Sequence, residues 1–576
     1  MFEDIFKKIE ENDVITIFGH MFPDGDCYGS SEGLKIALKH FYPNKTINVV
    51  GTDFYSIPFG YPTSDVVSDE LIKQGLVIIV DLSNKARIGD PRAFTNPNII
   101  KIDHHIFTEE FGGLEYIDTN HASCASYLAE ILYTKFDHLP SLAASLFYLG
   151  ITTDSGRFLY NPSKKLLNIA SRLIEDGADV NYIYNKLYEV DEKSLKFKGY
   201  LYNSYKSTTL GVCYCVCNNK TLKKYGYDKN SAAGFVNSIA HIGASRMHVL
   251  FTEGEDGEVR VELRSQGDIN VQEIAKKFGG GGHLNASGCR LSNLKDYKKV
   301  VNECEKAMFK TFSPYSRELK TMLKLVDKAN KIIMGYYNTH FDVEIKADDS
   351  PVTSADKASN EYIRNELIKH YPHYAMLTEE DSDNLDRMKN DYLFVLDPLD
   401  GTADFVQKDD MFAINLALVY KNHPVIGIVG IPGTGEIYFA VKGKGSYVLR
   451  KGEVIKKIHV SSKKANLTGY SSYCHRDEKV ISMYENSSKV TNIDYVGSSL
   501  KDCYLAEGKG EMVYTMSANT KEWDTCAPQI IVEEAGGVFM TTKGEEITYN
   551  RADVYNRDGY VALNSLDNDI LNKKGE

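Results

Sequence analysis

The sequence predicts an α/β protein of several domains: a doubly wound parallel sheet first, a smaller α+β unit second, and a third domain at the carboxyl end. Three observations carry this. The chain has 576 residues, too many for one hydrophobic core, which implies two to four domains. From about residue 12 to 190, short apolar runs alternate with helix-favouring stretches, as parallel strands buried on both faces do. After about residue 200 the pattern turns strand-rich.

Taken in order, VITIFGH reads as the first strand, followed by a helix through Gly29 to Lys39. TINVVG, LVIIVDLS, NIIKIDHH and LFYLGITTD read as further strands. In such sheets chemistry collects at the carboxyl ends of strands, and four of these runs end in polar clusters. YCVCN, MHVLFTE and EVRVELRS are strands of the second unit, with a helix over Val271–Lys277 before a glycine run, GGGGH. A charged helical stretch over Leu294–Phe312 leads to Ser313-Pro314, and an amphipathic helix starts near Arg317. Domains are therefore expected at 1–195, 196–313 and 314–576.

Composition narrows the function. With 43% hydrophobic and 25% charged residues, and no apolar run of the roughly 18 residues a span needs, no membrane association is expected. The start, MFEDIFKKIEEND, does not read as a secretory signal, and a cytoplasmic location is expected. Ten cysteines are scattered singly with no C-x-x-C pair, which suits reduced, buried thiols. A net charge of -12 argues against long duplex DNA, whose binding depends on many Lys and Arg contacts to phosphates. Acidity suits sites for divalent cations.

The polar clusters are His20, Asp24 and Asp26 in GHMFPDGDCYGS, Asp81 in IIVDLS, Asp103, His104 and His105 in KIDHH, and Asp154 in GITTDSGRF. A lone strand-end Asp is as readily a helix cap. Four clusters together supply hard oxygen and imidazole ligands suited to two Mn2+ or Mg2+ ions, the arrangement that serves in-line phosphoryl chemistry. These motifs resemble the DHH phosphoesterase family, and GGGGHLNASGC resembles its associated carboxy-terminal domain. The match spans roughly residues 10 to 295 and is most similar to hydrolases of small oligoribonucleotides that also dephosphorylate adenosine 3′,5′-bisphosphate. The resemblance implies a doubly wound DHH sheet with a smaller α+β associated domain. It also implies a bimetal site: His20 and Asp24 on one ion, Asp26, His104 and Asp154 on the other, Asp81 bridging. His105 would face the substrate phosphate, with Asp103 orienting the histidines. Arg157, Arg264 and Ser265, with Gly280, Gly281, Gly282 and His283, would hold the nucleotide, the glycines allowing close backbone approach. Mn2+ is the expected ion, with Mg2+ an alternative.

In the last domain YLFVLDPLDGTADF ends a buried strand with Asp397 and Asp400. LTEED lies upstream, and EWDTCAPQIIVEEAGG downstream places W-D-T before an apolar helix. D-x-x-D alone reads as solvated loop charge. The full set resembles the inositol monophosphatase superfamily over roughly residues 315 to 570, and implies a layered α/β fold and Mg2+ held by Glu379, Asp397, Asp400, Asp524 and the Leu399 carbonyl. By the same resemblance Asp356 would pair with Thr402, and Glu379 with them, around the attacking water. The Gly401 and Thr402 backbone would meet the phosphate at a helix start. DDSPVTSADK and GSSLKDCYLAEGKGEMVY are similar to the 3′(2′),5′-bisphosphate nucleotidases, which puts Ser498, Ser499 and Lys501 near the nucleotide. The chain departs from them in having ADFV after DPLDGT.

Both resemblances converge on adenosine 3′,5′-bisphosphate. They imply a bifunctional enzyme that degrades short RNA and clears this bisphosphate to AMP. Other readings stay open: linear or cyclic dinucleotides for the first half, inositol or sugar phosphates for the second, or one half as a nonhydrolytic nucleotide sensor. A homodimer is compatible with both families.

Overall fold

The computed structural model describes residues 2–51, 64–159, 162–240, 242–243, 245–339, 342–345, 351–472 and 474–571. Residues 348–350, the start of DDSPVTSADK, lie outside them. The chain divides into two compact units, one up to Asp191 and one from Glu192 onward.

In the first unit, β1 (Val14–Phe18), β2 (Thr46–Val50), β3 (Leu76–Val80), β4 (Ile99–Asp103) and β5 (Leu114–Ile117) form a sheet of order 2-1-3-4-5. All its pairings are parallel. Every residue of LVIIV and IIKID is buried, because apolar clusters cover both faces. Ile15, Ile17, Ile78 and Ile100 face one cluster with the long helices, while Phe18, Val77, Ile79 and Ile99 face another. The doubly wound architecture is thus present, and β5 is an element the sequence reading did not foresee.

Two expectations are corrected. The helix expected over Gly29–Lys39 runs from Gly25 to Phe41, because the Asp24 side chain caps its start by accepting the amides of Asp26 and Cys27. LFYLGITTD is not a strand; it is the end of the helix Ser141–Asp154. Ala143 to Thr152 are all buried, since neighbouring helices surround this one, so its sequence shows no 3.6-residue stripe to set it apart from a buried strand. Contact between the helices Gly25–Phe41 and Ser141–Asp154 is close enough that a Cβ on Gly29 would lie 2.3 Å from the Leu146 carbonyl oxygen. Gly29→Ala is therefore expected to cost about 1–3 kcal/mol through overpacking. Amide exchange in peptides covering 25–41 and 141–154 should speed up by about 5- to 150-fold; unchanged exchange would show that the helices can part without cost.

In the second unit, a mixed sheet has the order Gly281–Gly282, Ala286–Leu291, Val259–Ser265, Met247–Glu253, Val212–Cys217, Lys206–Ser207. The glycine run expected as a loop contributes a short edge strand, with Gly281 and Gly282 paired antiparallel to Gly288 and Ser287. Gly282 takes φ 138°, a conformation open to glycine.

Among the described residues, the carboxy-terminal part holds a seven-stranded sheet from Ala375–Thr378 to Lys456–Ile458 and a five-stranded sheet that includes Leu467–Ser471 and Met512–Thr515. Helices Ser316–Tyr337 and Ser354–His370 share one core with the larger sheet. Helices Leu500–Ala506 and Glu522–Glu534 share another with residues of both sheets. This is the layered α/β arrangement expected. W-D-T does not precede the apolar helix: Trp523 to Thr525 lie within it, in the first turns of Glu522–Glu534. Among the described residues no helix is long and apolar enough to cross a membrane.

Candidate active sites

The first constellation gathers at the carboxyl ends of β1, β3 and β4. His20 donates from Nδ1 to the Met21 carbonyl at 2.9 Å, which leaves the Nε2 lone pair facing Asp24 Oδ2 at 3.7 Å and Asp81 Oδ2 at 3.6 Å. His104 Nε2 lies 3.7 Å from Asp26 Oδ2, 3.5 Å from Asp81 Oδ1 and 3.5 Å from Asp154 Oδ2. These gaps exceed a hydrogen bond and suit two ligands of one cation, each about 2.1 Å from it. Asp81 is shared by the two sets. Its Oδ1 is buried without a hydrogen-bond partner, and its backbone is left-handed at φ 54°, a conformation Asp tolerates better than most residues.

Asp24 caps its helix through Oδ1 while Oδ2 faces His20. Asp26 is fixed by the amides of Cys124 at 2.6 Å and Ala125 at 2.9 Å. Asp103 Oδ1 accepts the His104 amide at 2.9 Å and His105 Nδ1 at 2.8 Å, so it aims His105 whichever ion is present. The buried Lys101 ammonium stands 3.4 Å from Asp103 Oδ2.

The charge balance fits cations. Burial pushes Asp26 well up, and the neighbouring Asp81 and Asp154 push it further; burial likewise raises Asp154 to about 6. Burial disfavours a charged His104, yet Asp81 and Asp26 raise it to about 10. Burial also opposes the raised pKa of His20, and Asp24 and Asp81 override it. Asp81 is held low despite its burial, by His104 and His20. The carboxylates outnumber the imidazoles, so the cluster carries excess negative charge of the kind that divalent cations neutralise.

The residues expected to hold the nucleotide make the following contacts within the chain. The Arg157 guanidinium stacks on Tyr188, 4.7 Å from the ring centre. Arg264 donates to Glu262 Oε2 at 3.2 Å and to the Leu263 carbonyl at 2.9 Å. The Ser265 hydroxyl donates to the Ile269 carbonyl at 2.6 Å and accepts from Asn285 at 3.0 Å, so it braces a turn. Gly280 closes against the Gly288 carbonyl, where a Cβ would come within 2.1 Å, while Gly281 faces open space. The His283 carbonyl accepts from Ser287 Oγ at 2.7 Å.

The second constellation lines a cleft of about 660 Å³ that includes Glu379, Asp397, Leu399, Asp400, Gly401, Thr402, Ser498, Ser499, Lys501 and Asp524. Asp397 Oδ1 accepts the Leu399 amide at 3.0 Å, which folds the D-P-L-D turn so that both acids face one space. Asp524 Oδ2 accepts the Lys521 amide at 2.7 Å. Burial pushes Asp397 well up, helped by Glu379 and Asp400, and raises Asp524 to about 8. These buried oxygens have the chemistry of hard-cation ligands. Asp356 Oδ1 accepts from Thr402 Oγ1 at 3.0 Å, and its Oδ2 accepts the Thr353 amide at 2.9 Å and the Thr353 hydroxyl at 2.5 Å. Gly401 is left-handed at φ 84° and begins the helix Thr402–Gln407.

Ser499, which lines the cleft, gives its amide and hydroxyl to Asp400 Oδ2, at 2.7 and 2.5 Å. Lys501 Nζ donates to the Ser498 carbonyl at 2.7 Å. Sequence reasoning missed Asn415, which donates to Asp400 at 3.1 Å and to Ser499 at 2.8 Å. Its one signal is an amide inside the apolar strand AINLALVY.

Three family profiles match the chain: the DHH family, N-terminal domain, over residues 14–151; the DHHA1 domain over 209–309; and the inositol monophosphatase family over 315–573. The chain is 35% identical over 310 residues to the bifunctional oligoribonuclease and PAP phosphatase NrnA of Mycoplasma genitalium, covering 53% of this chain and 96% of that protein. It is 33% identical over 306 residues to the protein of the same name from Bacillus subtilis, covering 52% and 97%. Its other half is 31% identical over 239 residues to the 3′(2′),5′-bisphosphate nucleotidase CysQ of Buchnera aphidicola, covering 41% and 89%. These relatives are hydrolases, and both families are metal-dependent phosphatases. The chain belongs to the DHH family through its amino-terminal half and to the inositol monophosphatase family through its carboxy-terminal half.

Proposed function

We propose that this chain is a bifunctional metal-dependent phosphoesterase. The first half hydrolyses short oligoribonucleotides and removes the 3′-phosphate of adenosine 3′,5′-bisphosphate to give AMP; the second is a 3′(2′),5′-bisphosphate nucleotidase. The observation that carries this is that two separate sets of acids, one around the buried Asp26 and Asp81 and one around the buried Asp397, are each assembled around their own space.

Divalent cations, Mn2+ (or Mg2+) held by His20, Asp24, Asp26, Asp81, His104 and Asp154 and Mg2+ held by Glu379, Asp397, Asp400, Asp524 and the Leu399 carbonyl, would supply a nucleophilic water and neutralise phosphoryl charge. The protein's part in the first half is orientation. His105 donates a hydrogen bond from Nδ1 to Asp103, which turns its Nε2 edge toward the substrate phosphate. In the second half Thr402 Oγ1 donates to Asp356, so its lone pairs are left to receive a proton of the attacking water. The Gly401–Thr402 turn offers backbone amides to the phosphate. Both steps are in-line displacements by water, with no covalent intermediate. A cytoplasmic enzyme acting on small nucleotides, divided at 1–195, 196–313 and 314–576, completes the reading.

The test uses the purified full chain with Mn2+ or Mg2+, given a short oligoribonucleotide or adenosine 3′,5′-bisphosphate. Mononucleotides are expected from the first, AMP and phosphate from the second, and a chelator should stop both. No product from either substrate with either ion refutes the proposal; turnover of inositol monophosphate in preference to the bisphosphate would reassign the second half.

A further inference from the structure

We infer that Cys474, Asp404 and Asp409 form a binding site for a borderline-soft divalent cation of the zinc class, distinct from the carboxylate set Glu379, Asp397, Asp400 and Asp524. One ligand atom from each of the three residues lies within 4.8 Å of the others. Asp404 is only 2% exposed, and its Oδ1 is buried without a hydrogen-bond partner, as is Asp409 Oδ2. A buried carboxylate oxygen left in this way costs folding free energy unless something positive or proton-donating meets it.

The arrangement is rigid. A Cβ on Gly497 would come within 2.8 Å of Asp404 Oδ1, and one on Gly401 within 3.0 Å of Oδ2, so the two glycines leave room for this carboxylate and hold it between them. Asp409 is anchored through Oδ1, which accepts the Met411 amide at 3.0 Å; Oδ2 is left to turn toward the cluster.

Donor chemistry selects the ion. One thiolate with two carboxylates suits zinc or cobalt and disfavours magnesium and calcium, which take oxygen ligands. Three protein ligands leave a fourth position for water. Protonation fits the same picture: burial first, then Asp409, raises Asp404 to about 7, with Cys474 opposing, and burial and Asp404 raise Cys474 to about 12. Zinc would displace the thiol proton and the carboxyl proton, releasing both to solvent. Asp404 and Ser472 both line the carboxy-terminal cleft, so the ion would fasten the segment after the Gly401–Thr402 turn to the chain at Cys474.

The test is Co2+ titration of the full chain in excess Mg2+, which occupies the all-oxygen carboxylate set. A saturable thiolate-to-cobalt charge-transfer absorption is expected in the near ultraviolet. It should be lost in Cys474→Ser, which keeps the other nine cysteines, Cys27 beside the first centre among them. No such absorption in the wild type, or equal absorption in the variant, overturns the site. A second measurement needs no variant: alkylation of Cys474 by iodoacetamide, followed by peptide mass spectrometry, should slow about tenfold when Zn2+ is present at ten times its dissociation constant. Equal rates with and without Zn2+ would mean that the two acids and the thiol share protons only.

Discussion

Replacing Asp81 by Asn is expected to lower hydrolysis of short oligoribonucleotides by about 10³-fold, roughly 4 kcal/mol of transition-state stabilisation. The size follows from its position. Asp81 faces His20 with one oxygen and His104 with the other, at 3.6 and 3.5 Å, and His105 at 3.6 Å. It is the carboxylate shared by both ligand sets. Changing a residue that only orients a metal ligand costs about 10- to 100-fold, so removing a charge that two ions would share should cost more. The amide is nearly isosteric, so packing around β3 is retained. Amide exchange in peptides covering 14–18 and 76–80, unchanged from wild type, is the control for folding of the first unit. If oligoribonucleotide cleavage by the variant stays within about tenfold of wild type, a margin of roughly 1.4 kcal/mol, Asp81 does not join the two sets.

The mirror experiment is Asp397→Asn. It should lower bisphosphate nucleotidase turnover by about 10³-fold when assayed in the Asp81→Asn background, where the first half no longer contributes. By itself it should leave oligoribonucleotide cleavage unchanged. Asp397 is 2% exposed and sits at the centre of the acid group, pushed up by burial and by Glu379 and Asp400. An amide there removes a formal charge that a cation would need and leaves the Leu399 amide with an acceptor oxygen. Unchanged bisphosphate hydrolysis in the double variant would mean that the carboxy-terminal half does not use this turn for chemistry; loss of all bisphosphate hydrolysis in Asp81→Asn alone would instead favour the sensor reading.

Much of this was legible in the sequence, and the exceptions have identifiable causes. The strands bearing His20, Asp81, Asp103 and Asp397 announce themselves as apolar runs ending in charge, because a buried strand must end where the chain returns to polar surroundings. The helix bearing Asp154 gave the same signal as a strand. Enclosed by other helices, it has no polar face to mark its 3.6-residue period. The glycine run read as a loop pairs as an edge strand because Gly281 and Gly282 meet Gly288 and Ser287, and composition says nothing about a partner in another segment. The motif around Ser499 does not show that its hydroxyl and amide bond Asp400, with Asn415 beside them, because those partners come from distant segments.

The sequence by itself pointed to the kind of chemistry: carboxylates with imidazoles in the first half and carboxylates in the second, many of them at the ends of buried strands. Only the tertiary structure decided how these groups are held. Asp26 is fixed by amides of Cys124 and Ala125, nearly a hundred positions away along the chain. The Met21 carbonyl directs the His20 ring, and Asp103 directs His105. Asp404, Asp409 and Cys474 become neighbours only on folding. The reason is that a buried charge is stabilised by whatever dipoles and opposite charges surround it in space. Those partners come from segments far apart in sequence, where no local pattern records the pairing.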